Sequence, residues 1–378
     1  MAKDPPDPDA LKQELAALRS KIDATDDEIL RLLNQRAEHV RRVADLKTAI
    51  SVPFYVPSRE RQIAERLAAA NPGPFPSESI RSVFQEIFSA CLTLEKRVRV
   101  AYLGPEGTFS DIAVKKQFGL SARSVPIGTI PGVFEEVERG NADYGVVPVE
   151  NTTEGMITHT LDTFLDSDLK VCAEIALEVN MCLLARAGTE LAQIERVYSI
   201  PIALGQCRRW LATNLPRATL VEARSTADAS RQAHDDARGA SVASEMAAKL
   251  YDLEVLRRKI EDLPYNMTRF LLLGRQQAEP TGRDKTSVLL VTRDEPGILF
   301  RTLGAFAQRG LNMTKIESRP SRRAPWQYVF FVDIDGHERD EKVAAALAEV
   351  RAACESVKVL GSYPKADTPA SAAPPQPT

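Results

Sequence analysis

From Asp9 to about Ala49 the chain contains neither proline nor glycine. Leu11, Leu15, Leu18, Ile22, Ile29, Leu32, Leu33, Val40, Val43 and Leu46 recur through it at helical spacing. A helix of about 40 residues is about 60 Å long, more than one subunit of ordinary size can cover. The expectation is a second chain alongside it, in an intertwined helical dimer. Pro53 and Pro57 break the pattern, which resumes from Ser58 to Ala70 and again from Ser77 to about Lys96, with Ser77 read as an N-cap. Residues 8–97 are thus expected to form three helices.

Charge placement on the long helix is informative. Arg36 and Lys47 are 11 residues apart, so they share a face, whereas Arg19 lies 17 residues before Arg36, roughly 100° around the axis. One straight helix cannot aim all three at one ligand, but an antiparallel partner could bring its own Arg19 to the Arg36/Lys47 site. Taken one at a time, each reads first as an ordinary solvated charge on a long helix.

A net charge of -3 over 378 residues implies no chain-wide field for nucleic acid or membranes. The five cysteines are odd in number, widely spaced and without a CxxC, as expected of reduced cytosolic thiols, and the four histidines lack metal-ligand spacing. The polar N-terminal residues are not expected to act as a signal sequence, and no apolar run approaches the ~20 residues of a membrane span. A cytoplasmic protein without metal or cofactor is expected.

Beyond Arg97 the period changes. Strand-like segments alternate with helical ones to about Gly274: a strand at 98–104 and a helix from Asp111 to Phe118, then a helix at 129–140 and a strand at 142–148. After these come a strand from Glu174 to Ala185, a strand at 196–199, a helix at 203–214, a strand at 219–223, a helix opened by Ser225, a strand at 240–243 and a helix at 245–251. Such alternation predicts a mostly parallel sheet covered on both faces, with ligands beyond the strand ends. Ser/Thr/Asn-rich loops follow several strands. Asn266, Thr268 and Arg269 stand before the apolar run ending at Gly274, where polar groups can face a cleft and an arginine can hold a carboxylate. From Thr286 the order βαββαβ reads as ferredoxin-like. Residues 276–285 read as a linker, and the Ala/Pro/Ser-rich end as disordered.

Three resemblances follow. Leu18, Arg19, Asn34, Arg36, Lys47, Pro57 and Glu60, in their local contexts, resemble the all-helical chorismate mutase family over most of residues 10–97. The resemblance implies a pericyclic rearrangement of chorismate to prephenate, with Arg19, Arg36 and Lys47 as the cations and Glu60 at the substrate hydroxyl. Glu95 takes the position facing the ether oxygen, where some relatives carry Gln. Its carboxylate would repel the charge growing there, so Glu95 is expected to act protonated, with activity falling as pH rises and Glu95→Gln flattening the profile. Val56 stands where some relatives are polar.

Gly104 to Ser110, Val147 to Gly155, Tyr198 to Pro201, Gln206-Cys207, Ser225 to Ala227 and Asn266 to Phe270 resemble prephenate dehydratase along the whole segment 98–275. That implies two lobes like those of periplasmic-type binding proteins, 98–173 plus 264–275 against 174–263. It also implies loss of CO2 and hydroxide from prephenate to give phenylpyruvate, without a cofactor. Thr268 is implied as donor to the departing hydroxyl, Asn151, Ser199 and Gln206 as positioning groups, and Arg269 as a carboxylate holder. Thr108, Ser110, Thr152, Ser225, Thr226, Asn266 and Phe270 are implied as substrate-binding. Ile200 and Ile202 depart from the pattern, since relatives there often carry His and Gln.

Finally, Pro296, Gly297, Ile298, Leu299, Leu311, Asn312, Glu317, Ser318, Arg319 and Pro320 resemble the ACT domain, which implies a phenylalanine site within 286–364, ahead of a tail at 365–378. The combined expectation is a bifunctional enzyme of phenylalanine synthesis, an isomerase and a lyase, with phenylalanine as inhibitor and a homodimer or larger assembly. The alternatives are a dehydratase with a decayed mutase and a non-catalytic two-lobed amino-acid sensor.

Overall fold

The computed structural model describes residues 8–50, 55–293, 295–321 and 327–366. Pro53 and most of the C-terminal tail lie outside them. Three helices come first: α1 (Pro8–Ile50), α2 (Pro57–Ala69) and α3 (Ser77–Glu95). The C-terminal half of α1 packs on α3, while its N-terminal half stands clear, with Leu11, Leu15, Leu18, Ile22 and Ile29 each 48–58% exposed. The cap of α3 is Pro76, one residue ahead of the expected Ser77. Pro76 is already extended and its carbonyl accepts from Ser79 N at 3.0 Å, so Ser77 becomes the first helical residue.

The next segment runs β1 (Arg99–Leu103), α4 (Phe109–Phe118), β2 (Arg123–Ile127), α5 (Ile130–Glu138), β3 (Tyr144–Asn151), β4 (Gly155–Met156), α6 (Thr158–Phe164) and β5 (Lys170–Glu178). The chain then crosses to a second lobe: β6 (Cys182–Ala185), β7 (Arg196–Ser199), α7 (Pro201–Gln206), α8 (Arg208–Asn214), β8 (Thr219–Glu222), α9 (Thr226–Asp235), β9 (Gly239–Ala243), α10 (Glu245–Leu250) and β10 (Glu254–Arg257). It returns as β11 (Met267–Gly274). The first sheet has the order β2-β1-β3-β11-β5 with β4 on β3, and the second β10-β6-β9-β7-β8.

Both sheets are mixed, which corrects the expectation of mostly parallel ones. β1 pairs parallel with β2 and β3, but β11 enters from the other lobe and runs antiparallel to both β3 and β5. The expected strand 174–185 is two strands in different lobes, and β5 stays in the first sheet to Glu178, so the lobe boundary lies near Val179 and not at residue 173. Residues 171–185 carry neither glycine nor proline to mark this crossing. β2 and β10, unforeseen from the sequence, are half-exposed edge strands without an apolar run, and Pro126 sits on such an edge.

The C-terminal domain consists of β12 (Asp284–Val291), α11 (Ile298–Ala307), β13 (Met313–Pro320), β14 (Tyr328–Asp335), α12 (Glu341–Ala353) and β15 (Ser356–Pro364). Its antiparallel order β13-β14-β12-β15 is the expected ferredoxin-like arrangement. Lys365 and Ala366, assigned to the tail, are still held: their amides donate to Arg283 O and Glu174 Oε1 at 3.0 and 2.8 Å.

Two units are stacked on the first sheet, one on each face. On one face Val147, Val171, Leu271 and Leu273 share a core with Leu289, Val329, Phe331 and Tyr363 of the C-terminal sheet. The two backbones meet so closely at Gly361 that a Cβ there would lie 2.3 Å from Val171 O. On the other face Val100, Tyr102, Phe270 and Leu272 pack under α4 together with Tyr55 and Leu92 of the helical domain. Tyr55 stacks on Phe118 at 4.6 Å and donates to Gln117 O at 3.1 Å, so the helical domain sits at the C-terminal end of α4.

Candidate active sites

The cleft between the lobes is built on one register pair. Thr268 at the start of β11 lies opposite Asn151 at the end of β3. Asn151 Nδ2 donates to Thr268 Oγ1 at 2.8 Å and to Asn266 Oδ1 at 2.9 Å. Asn266 Nδ2 donates across the lobes to Gln206 Oε1 at 2.8 Å, and Gln206 Nε2 returns to Thr153 Oγ1 at 2.7 Å. Thr153 Oγ1 and the Thr153 and Glu154 amides fix Asn151 Oδ1, at 2.6, 2.9 and 3.1 Å. A cavity of about 290 Å³ opens beside Gln206 and Asn266.

The polarity of this network sets what Thr268 can do. Both amide hydrogens of Asn151 are spent as donors, so Thr268 Oγ1 is an acceptor towards it. Among the described residues Thr268 Oγ1 donates to no protein group, which leaves its hydroxyl hydrogen for a ligand. Thr152 works beside it: its hydroxyl donates to Tyr265 O at 2.7 Å and accepts from Met267 N at 2.9 Å, pinning the chain into β11.

Several expected residues lie elsewhere. Arg269 follows Thr268 on a strand, so it must point to the opposite face. Its guanidinium donates to Glu174 Oε2 at 2.7 Å, Asp333 Oδ2 at 2.6 Å and Tyr363 Oη at 2.9 Å, against the C-terminal domain. It does not hold a ligand carboxylate in the cleft. Phe270 is core, and Ser199 is fully buried, donating to Val242 O at 2.6 Å inside the second lobe. Thr108 donates to Pro105 O at 2.9 Å, Ser225 caps α9 by accepting from Asp228 N, and Ser110 and Thr226 are buried. Among the described residues no hydrogen bond joins these four to the Asn151–Thr268 group.

In the helical domain Lys47 Nζ and Glu95 Oε2 form an ion pair at 2.9 Å. The Arg36 guanidinium lies 5.2 Å above the Phe88 ring, with Nη1 2.9 Å from Cys91 Sγ. Phe88, Cys91 and Glu95 share a face of α3 at helical spacing, which is the signal that would have added Phe88 and Cys91 to the expected set. Burial pushes the Glu60 carboxyl up to about 8, against the pull of Arg36 and with a further push from Glu95, Lys47 again pulling down. These interactions bring Arg36, Lys47, Glu60 and Glu95 into one neighbourhood. Arg19 lies about 25 Å further along the same helix, on its exposed half.

In the C-terminal domain Gly297 takes a left-handed φ of 73° at the cap of α11, ahead of Ile298 and Leu299. Leu311 packs on the core and Asn312 Nδ2 donates to Asp335 Oδ2 at 3.2 Å. Alternation along β13 divides Glu317, Ser318, Arg319 and Pro320 between two faces. Arg319 pairs with Asp162 of α6 at 3.2 Å, whereas Ser318 and Pro320 are exposed, so the four do not line one pocket within this chain.

Three family patterns match in the order of these units: chorismate mutase type II over residues 18–96, prephenate dehydratase over 100–278 and the ACT domain over 286–352. A bifunctional chorismate mutase/prephenate dehydratase of Aquifex aeolicus is 49% identical over 94% of this chain and 99% of its own length. The protein of the same name from Stutzerimonas stutzeri is 44% identical over 93% and 98%. Among solved structures, a prephenate dehydratase of Arthrobacter aurescens in complex with L-Phe is 37% identical with a TM-score of 0.66, covering 71% of this chain and 90% of that one. The chain belongs to the bifunctional chorismate mutase/prephenate dehydratase family.

Proposed function

We propose that the helical domain rearranges chorismate to prephenate, that the cleft converts prephenate to phenylpyruvate, and that phenylalanine bound at the ACT domain inhibits the second step. The observation that supports the dehydratase reading most directly is the Thr268 hydroxyl, turned into a free donor by Asn151. Loss of CO2 supplies the electron pair that aromatises the ring, and the group to be helped is the departing hydroxide. A threonine cannot surrender its proton cheaply, so it assists by hydrogen bonding, and the rest of the rate comes from orientation and site electrostatics. Asn151, Asn266 and Gln206 hold the donor and tie the two lobes around it. The decisive assay incubates the full chain with chorismate, and separately with prephenate, with and without phenylalanine. Phenylpyruvate from both substrates, suppressed by phenylalanine, is the expected result. Phenylpyruvate from prephenate alone refutes the mutase assignment, none from prephenate refutes the dehydratase assignment, and chorismate that yields neither prephenate nor phenylpyruvate in that case refutes both.

The mutase reading needs a second copy. Arg36 and Lys47 can neutralise two carboxylates, and the exposed leucine face of α1 suits an antiparallel partner carrying its own Arg19 to them. Leu18→Glu is expected to yield a smaller species by light scattering and to lower mutase kcat/KM about 100-fold, the scale of losing one charge-stabilising group. Dehydration of prephenate should persist. An unchanged mass with full mutase activity would refute the partner role.

Burial also makes Glu60 a candidate pH-sensitive group of this pocket, because it raises that carboxyl to about 8. As Glu60 loses its proton above about 8, the site gains a negative charge facing a dianionic substrate. KM for chorismate is expected to rise about fivefold between pH 7 and 9, equivalent to about 1 kcal/mol, and Glu60→Gln should remove the rise. The same slope in that variant would place the titration elsewhere.

A further inference from the structure

One strand step behind the Asn151–Thr268 pair lies a second register pair, Glu150 opposite Arg269. Alternation turns it from the cleft towards the ACT sheet, where it meets a third pair, Lys315 opposite Asp333 on β13 and β14. The four charges alternate in sign. Arg269 Nη1 is 2.6 Å from Asp333 Oδ2 and 3.7 Å from Glu150 Oε2, and Lys315 Nζ is 3.2 Å from that same Glu150 oxygen. Arg269, Lys315 and Asp333 are largely buried, while Glu150 is the most open member. Glu174, Lys285, Ser287 and Tyr363 close the ring from outside through Arg269, Glu174 and Asp333.

We infer that Arg269, Glu150, Lys315 and Asp333 are positioning residues for dehydration, through which the ACT sheet sets the geometry of the Asn151–Thr268 pair. The inference rests on the cleft being the dehydratase site. Three observations carry it. Asn151 and Thr268 are the chain neighbours of Glu150 and Arg269, so a shift of the ring is a shift of the pair. β3 bulges at this point, Glu150 facing Arg269 but Pro148 facing Phe270, which leaves Val149 unmatched and lets the strand end re-aim. Apolar side chains would hold the interface as firmly, since buried ion pairs add little net stability, whereas opposed charges favour one register. Lys315 also lies two residues before Glu317 on the same face of β13, so a ligand seated against that face would act on Glu150 through Lys315.

The test uses the full chain and compares Lys315→Gln and Lys315→Arg with the native protein. The measurements are dehydratase kcat and KM with prephenate, with and without phenylalanine, the mutase rate with chorismate, and phenylalanine binding by calorimetry. Lys315→Gln is expected to lower dehydratase kcat about tenfold with KM within twofold. It should leave mutase rate and phenylalanine affinity in place, and abolish inhibition by phenylalanine. Lys315→Arg is expected to restore kcat and inhibition together. A native kcat with intact inhibition in Lys315→Gln overturns the inference. So does an equal loss of both activities, which assigns Lys315 to overall stability, and so does failure of the arginine to rescue. A native protein that does not turn over prephenate refutes the dehydratase reading itself, a result visible before any variant is compared.

Discussion

Thr268→Val is expected to lower kcat for dehydration of prephenate by about 100-fold or more, the range for losing one donor aimed at developing charge. Valine keeps the shape and strand preference of threonine, so β11 should persist and the mutase rate should be untouched. Asn151→Ala should approach the same loss, because it frees Thr268 Oγ1 to turn its proton towards protein acceptors. The double variant should be little worse than either single one, since the two side chains act as a unit. Thr268→Ser should recover much of the rate. Steady-state kinetics decide the matter: a normal kcat in Thr268→Val removes the hydroxyl from the chemistry, and additive losses separate Asn151 from it.

The second large effect concerns stability. Arg269→Met removes the partner of two buried carboxylates, Glu174 and Asp333, and leaves Lys285 to serve Glu174. Breaking a buried pair in this way costs about 3–5 kcal/mol. Burial by itself would raise both acids, but Arg269 overrides it and holds each below its usual range, helped by Lys285 at Glu174 and by the Ser287 hydroxyl at Asp333. Groups lowered in the folded state contribute stability that is present above their unfolded pKa and is lost as pH falls. Without Arg269 the sign reverses, because burial then dominates and protonation relieves the folded state. Thermal unfolding should therefore show a deficit in Arg269→Met that is large near pH 7 and shrinks towards pH 5. A deficit that is small, or that grows on acidification, would refute the description of this network.

Much of the architecture could be read from the residues alone. The long helix was legible because nothing in Asp9–Ala49 interrupts it, and the mouths of β3 and β11 because polar side chains stand against apolar runs. The Asn151–Thr268 pair belongs to that second class. Arg269 was misplaced although the rule that places it is elementary, since consecutive strand residues face opposite ways and Thr268 had already claimed the cleft. Ser199 could have been read the same way, because it shares the inward face of Val197 on β7. Other features depend on separations that no local pattern encodes. The raised Glu60 reflects burial and the nearness of Glu95, 35 positions later. The crossing near Val179 is silent because no glycine or proline marks it, and from Ile175 to Ala185 Glu178 and Asn180 alone interrupt the apolar residues that lead from one lobe into the other. The direction of β11 is set by where the second lobe returns the chain.

That return of β11 also orders events during synthesis. β3 and β5 are not neighbours: β11 lies between them, and it emerges only after the whole second lobe, 88 residues after the end of β5. At about 5–20 residues per second, the ribosome holds the first lobe open for about 4–18 s. During that interval β3 presents an unpaired edge and β5 has no sheet to join, the condition under which strands seek foreign partners. The second lobe contributes every strand of its own sheet before that gap closes, so it can fold first although it is encoded later. Nascent chains halted just before Met267 should be the species most dependent on chaperones, and those extended past Gly274 should be released from that dependence.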